Sequence, residues 1–247
     1  MPNAATATMF LALAAVAAGA WPPPLFAAPA AACRAESGTR APLVVELYTS
    51  EGCSSCPPAD RWLSTLKGRP DVLALAFHVN YWDHLGWPDR FASPEMTARQ
   101  RDLARLAGSR SVYTPQVVVQ GRDWTAWPKL PDVPAAAAIG LALTRDGERV
   151  TATVPATSGT PPRLAGYWAV LEDQHQSRVR AGENAGETLR HDHVVRLYQP
   201  VPGWAAAQGG SAQLMVSAGL PAFPRRVAFV VTDAATQRPL QALALGC

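Results

Sequence analysis

The sequence predicts an α/β domain over residues 42–138 followed by a mostly-β, sandwich-like domain over residues 139–247. Three observations carry this reading. Between Pro42 and Ala138, apolar runs of strand length alternate with segments of helical spacing, the order that lays helices on the faces of a small sheet. From Ile139 onward the helical period disappears, and short β-rich runs follow one another across Pro- and Gly-containing connections. The clearest of those connections is Asp146-Gly147, between IGLALTR and ERVTATV, which supplies the positive φ angles of a type I′ hairpin turn.

Composition sets the outer bounds. Of 247 residues 48% are hydrophobic and 17% charged, which excludes wholesale disorder and leaves apolar mass for one or two cores. The 22 basic and 19 acidic residues leave a net charge of +3. Lys67 and Lys129 are the only lysines, and the arginines are scattered without a run of five like charges, so no nucleic-acid partner is expected.

The first thirty residues read as a signal peptide. Met9–Ala20 is apolar for about twelve residues, too short for a bilayer-spanning helix and suited to a signal core, and Ala28-Pro29-Ala30 is an A-x-A pattern for cleavage. Residues 31–41 then form a linker, and the mature protein is expected in the periplasm or secreted. An oxidising compartment permits a structural disulfide between Cys33 and Cys247, for which chain entropy predicts roughly 4 to 5 kcal/mol. The alternative use of Cys33 is as an acylated N-terminus, a lipid anchor disfavoured because the expected Leu three residues earlier is missing.

In chain order, Leu43–Tyr48 (LVVELY) is a buried strand, Ala59–Leu66 a helix and Val72–Val79 (VLALAFHV) a second buried strand. Ser93 as N-cap with Pro94 at the first helical position opens a helix that runs through Arg99, Leu103 and Leu106 and ends at Gly108. Gln116–Val119 is a strand closed by Gly121. After the Asp146-Gly147 hairpin, strands are expected at Gly166–Glu172, Thr188–Tyr198, Ala212–Ser217, Arg226–Thr232 and Leu240–Leu245.

The chemistry concentrates in Glu46–Asp60, ELYTSEGCSSCPPAD. A strand runs into a Gly-containing loop, then Cys53-Ser54-Ser55-Cys56, then a helix. Cys53 at a helix N-terminus would have its thiolate stabilised by unpaired N–H groups and the helix dipole. Cys56, about one turn deeper, is placed to resolve a mixed disulfide formed at Cys53. Pro57 and Pro58 delay the helix until about Cys56. The second element is Thr114-Pro115, immediately before the strand at Gln116, where the first position need not donate to a sheet ladder.

Strand, C-x-x-C at a helix start, helix, strand and a later Thr-Pro before a β-branched strand resemble the thioredoxin fold. In finer detail, VELYTSEGCSSCPPAD, AFHVNYWDHLGW, FASPEMTARQR, SVYTPQVVVQG and GENAGETLRHDHVVR resemble a bacterial family of exported thioredoxin-like proteins known only as a domain of unknown function. The resemblance runs from about Pro42 to the C-terminus. It implies that Cys53 and Cys56 form a redox pair, that Pro115 is the cis proline packing against it, with Thr114 beside it, and that Glu46 or Glu51 relays the proton of the resolving thiol. The family pattern carries Asp at the position of Asn80 and Asn at that of His193.

The expected function is an exported thiol-disulfide oxidoreductase acting on protein thiols, with an unidentified redox partner and no cofactor. His78, Tyr81 and Trp82, after the second strand, either line a substrate groove or fill the core. No dedicated metal site is predicted. Two alternatives stand beside this function: the thiols bind a soft metal such as Cu(I), with His78 or His84 completing the site, or the chain is a binding module whose C-x-x-C is structural. His191 and His193 share a strand face by the period of two, as a metal-ligand pair or, more simply, as two solvent-facing histidines. Gly182–Gly186 (GENAG) reads as a turn with a docking role as the alternative.

Overall fold

Fourteen strands, two α-helices and two short 3-10 helices make up the secondary structure of the described residues, which are Met1 and residues 33–132, 137–159, 161–217 and 219–247 of the computed structural model. Apart from Met1, the expected signal peptide lies outside them. The first half carries β1 (Cys33–Glu36), β2 (Leu43–Thr49), α1 (Pro57–Ser64), β3 (Val72–His78), α2 (Pro94–Leu106), β4 (Gln116–Val119) and β5 (Arg122–Asp123). The second carries β6 (Ala142–Asp146), β7 (Arg149–Val154), β8 (Arg163–Glu172), β9 (His175–Arg178), β10 (Thr188–His191), β11 (Val194–Ala205), β12 (Gly210–Met215), β13 (Arg225–Asp233) and β14 (Pro239–Leu245).

These strands do not divide between two domains. An eight-stranded sheet runs in the order β14-β13-β8-β11-β3-β2-β4-β5, so strands from both sides of residue 138 lie in one hydrogen-bonded array, and Ala32–Cys247 is one compact unit. The seam is the parallel pairing of β11 with β3 at Val194 and Ala76. This overturns the expected α/β thioredoxin-like domain followed by a separate β-rich domain: the protein is mostly β, with two α-helices of 8 and 13 residues among the described residues. The stretch read as a linker also holds β1, which pairs antiparallel with β6. Local periodicity marks each strand, yet it carries no information about which strand becomes whose neighbour across a hundred residues.

The large sheet is covered on both faces. On one face, Leu164, Trp168, Val170, Val227, Phe229 and Val231 pack against a four-stranded antiparallel sheet, β1-β6-β7-β12, through Leu143, Val150, Ala152 and Leu214. Further along the same face, Leu43, Val45, Leu47, Ala74 and Ala76 receive Ala59, Trp62 and Leu63 of α1. On the opposite face Val44, Tyr48, Leu75, Phe77, Tyr167, Leu171 and Val230 pack with Met96 of α2. Burial on both faces is why β2 and β8 read as continuous apolar runs instead of alternating ones. Sequence and structure agree on the N-terminus of α2: the Ser93 side chain accepts from the Met96 backbone N–H and Pro94 opens the first turn.

The expected strand Thr188–Tyr198 is interrupted. β10 ends at His191, His193 takes φ +57°, and β11 begins at Val194. The break sends the two histidines to different surroundings. Both are buried, His191 beside Glu51 and His193 beside Arg226, so neither is solvent-facing and the period of two does not apply. Burial, reinforced by the Arg226 charge, pushes the His193 pKa down to about 4.

Candidate redox and polar site

β2 delivers the chain at Thr49 into the loop Ser50–Gly52, and Cys53 follows. Cys53 N–H donates to the Ser50 carbonyl and Cys56 N–H to the Cys53 carbonyl, each at 3.2 Å, so the C-x-x-C occupies tight turns ahead of α1. Cys56, not Cys53, is the N-cap, and its carbonyl accepts from the N–H groups of Ala59 and Asp60. Pro57 and Pro58 lack N–H groups, so the donors that usually favour a thiolate at a helix start are missing here. The hydroxyl of Ser55 lies 3.4 Å from Cys53 Sγ. Cys53 and Cys56 are at disulfide distance, with Cα atoms 5.4 Å apart. Cys33 and Cys247 form a second such pair, 6.0 Å between Cα atoms.

Both cysteines of the C-x-x-C are buried, Cys53 at 1% exposure and Cys56 at 0%. The cover is the connection between β9 and β10. Asn184 Nδ2 donates to the carbonyls of Glu51 at 2.8 Å and Cys53 at 3.0 Å, and the Ser54 N–H donates to Glu183 at 2.9 Å. Gly182 and Gly186 sit at φ +76° and +93°, the turn geometry that the GENAG composition indicates. On the other side stands Trp82. A Cβ at Gly52 would lie 3.0 Å from the Trp82 Cβ, so only glycine fits there without displacement. Trp82 Nε1 donates to the Thr114 hydroxyl at 2.8 Å, tying the C-x-x-C loop to the segment before β4. Thr114–Pro115 is a cis peptide bond, as is Trp127–Pro128.

Asn184→Ala removes two buried hydrogen bonds and is expected to cost about 1–3 kcal/mol of stability. If the connection opens about 1.4 kcal/mol more easily, its open state is populated about tenfold more, so alkylation of reduced Cys53 should accelerate by that factor. Mass-resolved iodoacetamide labelling measures it. An unchanged rate would show that residues 182–186 do not limit access.

The two glutamates part company. Glu46 is buried on the α2 face of the sheet, opposite α1, where it accepts from Tyr48 and Tyr167 at 2.8 Å and from Arg99 at 2.5 Å. It faces away from the cysteine helix, which removes the geometry that a proton relay needs. Alternation along β2 is the reason, since Val45 and Leu47 are the residues that point to α1. Glu51 lies under the C-x-x-C loop in a buried network: its carboxylate accepts from Trp87 Nε1 at 2.8 Å and meets His191 Nε2 at 3.2 Å, and its N–H donates to Asp89. Burial alone would raise the Glu51 pKa, but His191 and the other hydrogen bonds outweigh it and the carboxyl is held below its usual range.

His78 belongs to the same network. It is fully buried, with Nδ1 2.6 Å from Asp89 Oδ2 and its ring 5.0 Å from that of His191. Burial tends to raise the Asp89 pKa, yet the His78 imidazole keeps it below the usual value. Asp60, on the first turn of α1, accepts from the Thr49 hydroxyl at 2.9 Å. Tyr81 is half-buried, and burial raises its pKa. His84 is exposed and bonded to the Tyr81 carbonyl, apart from the buried cluster. Sequence reasoning did not single out Asp60 or Asp89, and it took Asn184 only as a turn residue of positive φ, a conformation that Gly182 and Gly186 adopt and Asn184 does not. Asp60 sits within CSSCPPAD as an ordinary first-turn acid, and nothing local ties Asp89 or Asn184 to residues 11 to 133 positions away.

The fold and site thus define a class: a mostly-β protein with a long mixed sheet and a C-x-x-C disulfide at a helix start. The chain belongs to the family described as a protein of unknown function, DUF1223, whose sequence model matches residues 44–232. It is similar to the crystal structure of protein AGR_C_4864 from Agrobacterium tumefaciens, with a TM-score of 0.63 and 25% identity over 85% of this chain and 96% of that one. HBP35 of Porphyromonas gingivalis shares the fold at a TM-score of 0.54 and 15% identity, over 85% of this chain and 76% of that one. No curated protein matches. Among the described residues no helix is long and apolar enough to cross a membrane.

Proposed function

We propose that this protein is an exported thiol-disulfide oxidoreductase whose Cys53–Cys56 pair exchanges with protein thiols and disulfides. The observation that carries the reading is the disulfide pair itself, closed across two residues at the start of α1 and roofed by the polar connection between β9 and β10. In the reducing direction the Cys53 thiolate attacks a substrate disulfide, an S–S bond forms between Cys53 and substrate, and one substrate thiolate leaves. The Cys56 thiolate then attacks Cys53 Sγ, the mixed bond breaks, and the second substrate thiolate departs. Two electrons pass to the substrate and the enzyme keeps the Cys53–Cys56 disulfide. The opposite direction reverses each step, and the reduction potential selects between them. A peptide substrate would lie along Tyr113–Pro115, just before β4, where Trp82 holds Thr114 beside the C-x-x-C loop.

Equilibration in graded glutathione buffers, followed by alkylation and mass counting, tests this. Cys53 and Cys56 are expected to convert together as one two-electron couple between about −270 and −120 mV, the span of known dithiol oxidoreductases. A pair fixed in one state throughout that range would overturn the proposal.

A further inference from the structure

Beneath the cysteine loop, one ligand atom each from Asp60, His78 and His191 lies within 4.8 Å of the other two, and all three residues are buried. Each comes from a different element: α1, β3 and β10. Two ring nitrogens here, His78 Nε2 and His191 Nδ1, are buried without a hydrogen-bond partner. The other nitrogen of each ring is held by a carboxylate, His78 Nδ1 by Asp89 at 2.6 Å and His191 Nε2 by Glu51 at 3.2 Å. Asp60 Oδ1 stands 3.9 Å from His191 Nδ1, beyond hydrogen-bonding reach, while its Oδ2 is engaged by Thr49.

Orphaned polar atoms in a protein interior call for a reason, because each costs free energy to desolvate. Here two imidazole nitrogens and one carboxylate oxygen converge, and each imidazole is oriented from behind by a carboxylate. That backing is what fixes the tautomer and raises the basicity of metal-ligating histidines. Three carboxylates, Glu51, Asp60 and Asp89, also surround two imidazoles, a local excess of acidic groups that a divalent cation would balance. We propose that Asp60, His78 and His191 form a binding site for a divalent transition metal, with zinc the ion favoured by two imidazoles and one carboxylate. Ligand atoms on a tetrahedral zinc stand about 3.3 Å apart, so the three groups close by roughly an ångström on binding. Of the three residues, His191 also lines a cavity of about 300 Å³, together with His175, Arg190 and Asp192, and Asp192 there pairs with Lys67.

The site is separate from thiol exchange, so it is tested on the fully oxidised protein, in which both cysteine pairs are disulfides and thiolate binding is excluded. Isothermal titration with zinc chloride is expected to show one ion per chain. Cobalt(II) should give the visible d–d bands of a low-coordinate nitrogen/oxygen site without sulfur charge transfer. His78→Gln and Asp60→Asn should lose the ion, and Asp89→Asn should weaken it about 10- to 100-fold, whereas Glu183→Gln should bind as the parent does. Where a ligand variant does not fold, the parent decides alone, since a native-state site must raise the thermal midpoint with increasing zinc. Absence of stoichiometric binding by the oxidised protein, or binding that survives both His78→Gln and Asp60→Asn in folded variants, overturns the assignment. The glutathione titration leaves this outcome untouched, so the two proposals fail independently.

Discussion

Cys53→Ser is expected to abolish disulfide exchange, lowering the rate by on the order of a thousandfold or more. A serine hydroxyl stays protonated at neutral pH and cannot form the S–S bond of the intermediate. Cys56→Ser should behave differently: Cys53 still attacks, but no second thiol resolves the adduct, and a mixed disulfide with substrate accumulates. Insulin reduction followed by turbidity gives the rate, and non-reducing electrophoresis shows the trapped adduct. If Cys53→Ser traps the adduct and Cys56→Ser is silent, the two roles are exchanged. If both variants keep the parental rate, the pair is structural and the oxidoreductase proposal is lost. Because Cys53 is 1% exposed, the parent's rate should also follow the opening of residues 182–186 and not thiol chemistry alone.

The largest stability effect is expected from the other pair. Cys33 and Cys247 are 214 residues apart in sequence, and closing a loop of that length restricts the unfolded chain by about 5 kcal/mol in the entropy model. The native contacts point the same way. β1 has four residues, and β6 is its one strand partner. The bond pins it to the chain following β14, where Arg145 donates to the carbonyls of Val216 and Cys247 at 3.1 Å. Cys33→Ser, Cys247→Ser and the double variant should each lose about the same amount, because any one of them removes the same bond. At about 2–4 °C per kcal/mol for a chain of this size, the thermal midpoint falls by roughly 10–20 °C. Differential scanning calorimetry under non-reducing conditions measures it, and a loss below about 1 kcal/mol would show that the two ends are held by packing alone.

Much of the local structure was legible in the residues themselves. Ser93-Pro94 marked the start of α2, and LVVELY and VLALAFHV marked two strands buried on both faces. Asp146-Gly147 marked the hairpin of β6 and β7 but not its turn: Asp146 pairs with Arg149, the two-residue loop is Gly147-Glu148, and Gly147 alone takes a positive φ, so the expected type I′ turn is not formed. Three short strands left no clear signal, because β1 alternates over four residues only, β5 has two residues and β9 is His-Gln-Ser-Arg, with no apolar signature. The cysteine pair and the turn at Gly182–Gly186 were also readable, since C-x-x-C chemistry and glycine conformations are properties of a few adjacent residues.

What the sequence alone determined is therefore short-range: the strands and helices, the hairpin, and the placement of Cys53 and Cys56 at a helix start. The tertiary structure decided what depends on distant partners. It merged the two halves through β3 and β11, turned Glu46 toward Arg99, and brought His191 from residue 191 beside Glu51 and His78. Side-chain direction along a strand follows from a period of two, but the identity of the neighbour it meets follows from strand order, and strand order is fixed by burying both faces of one long sheet at once.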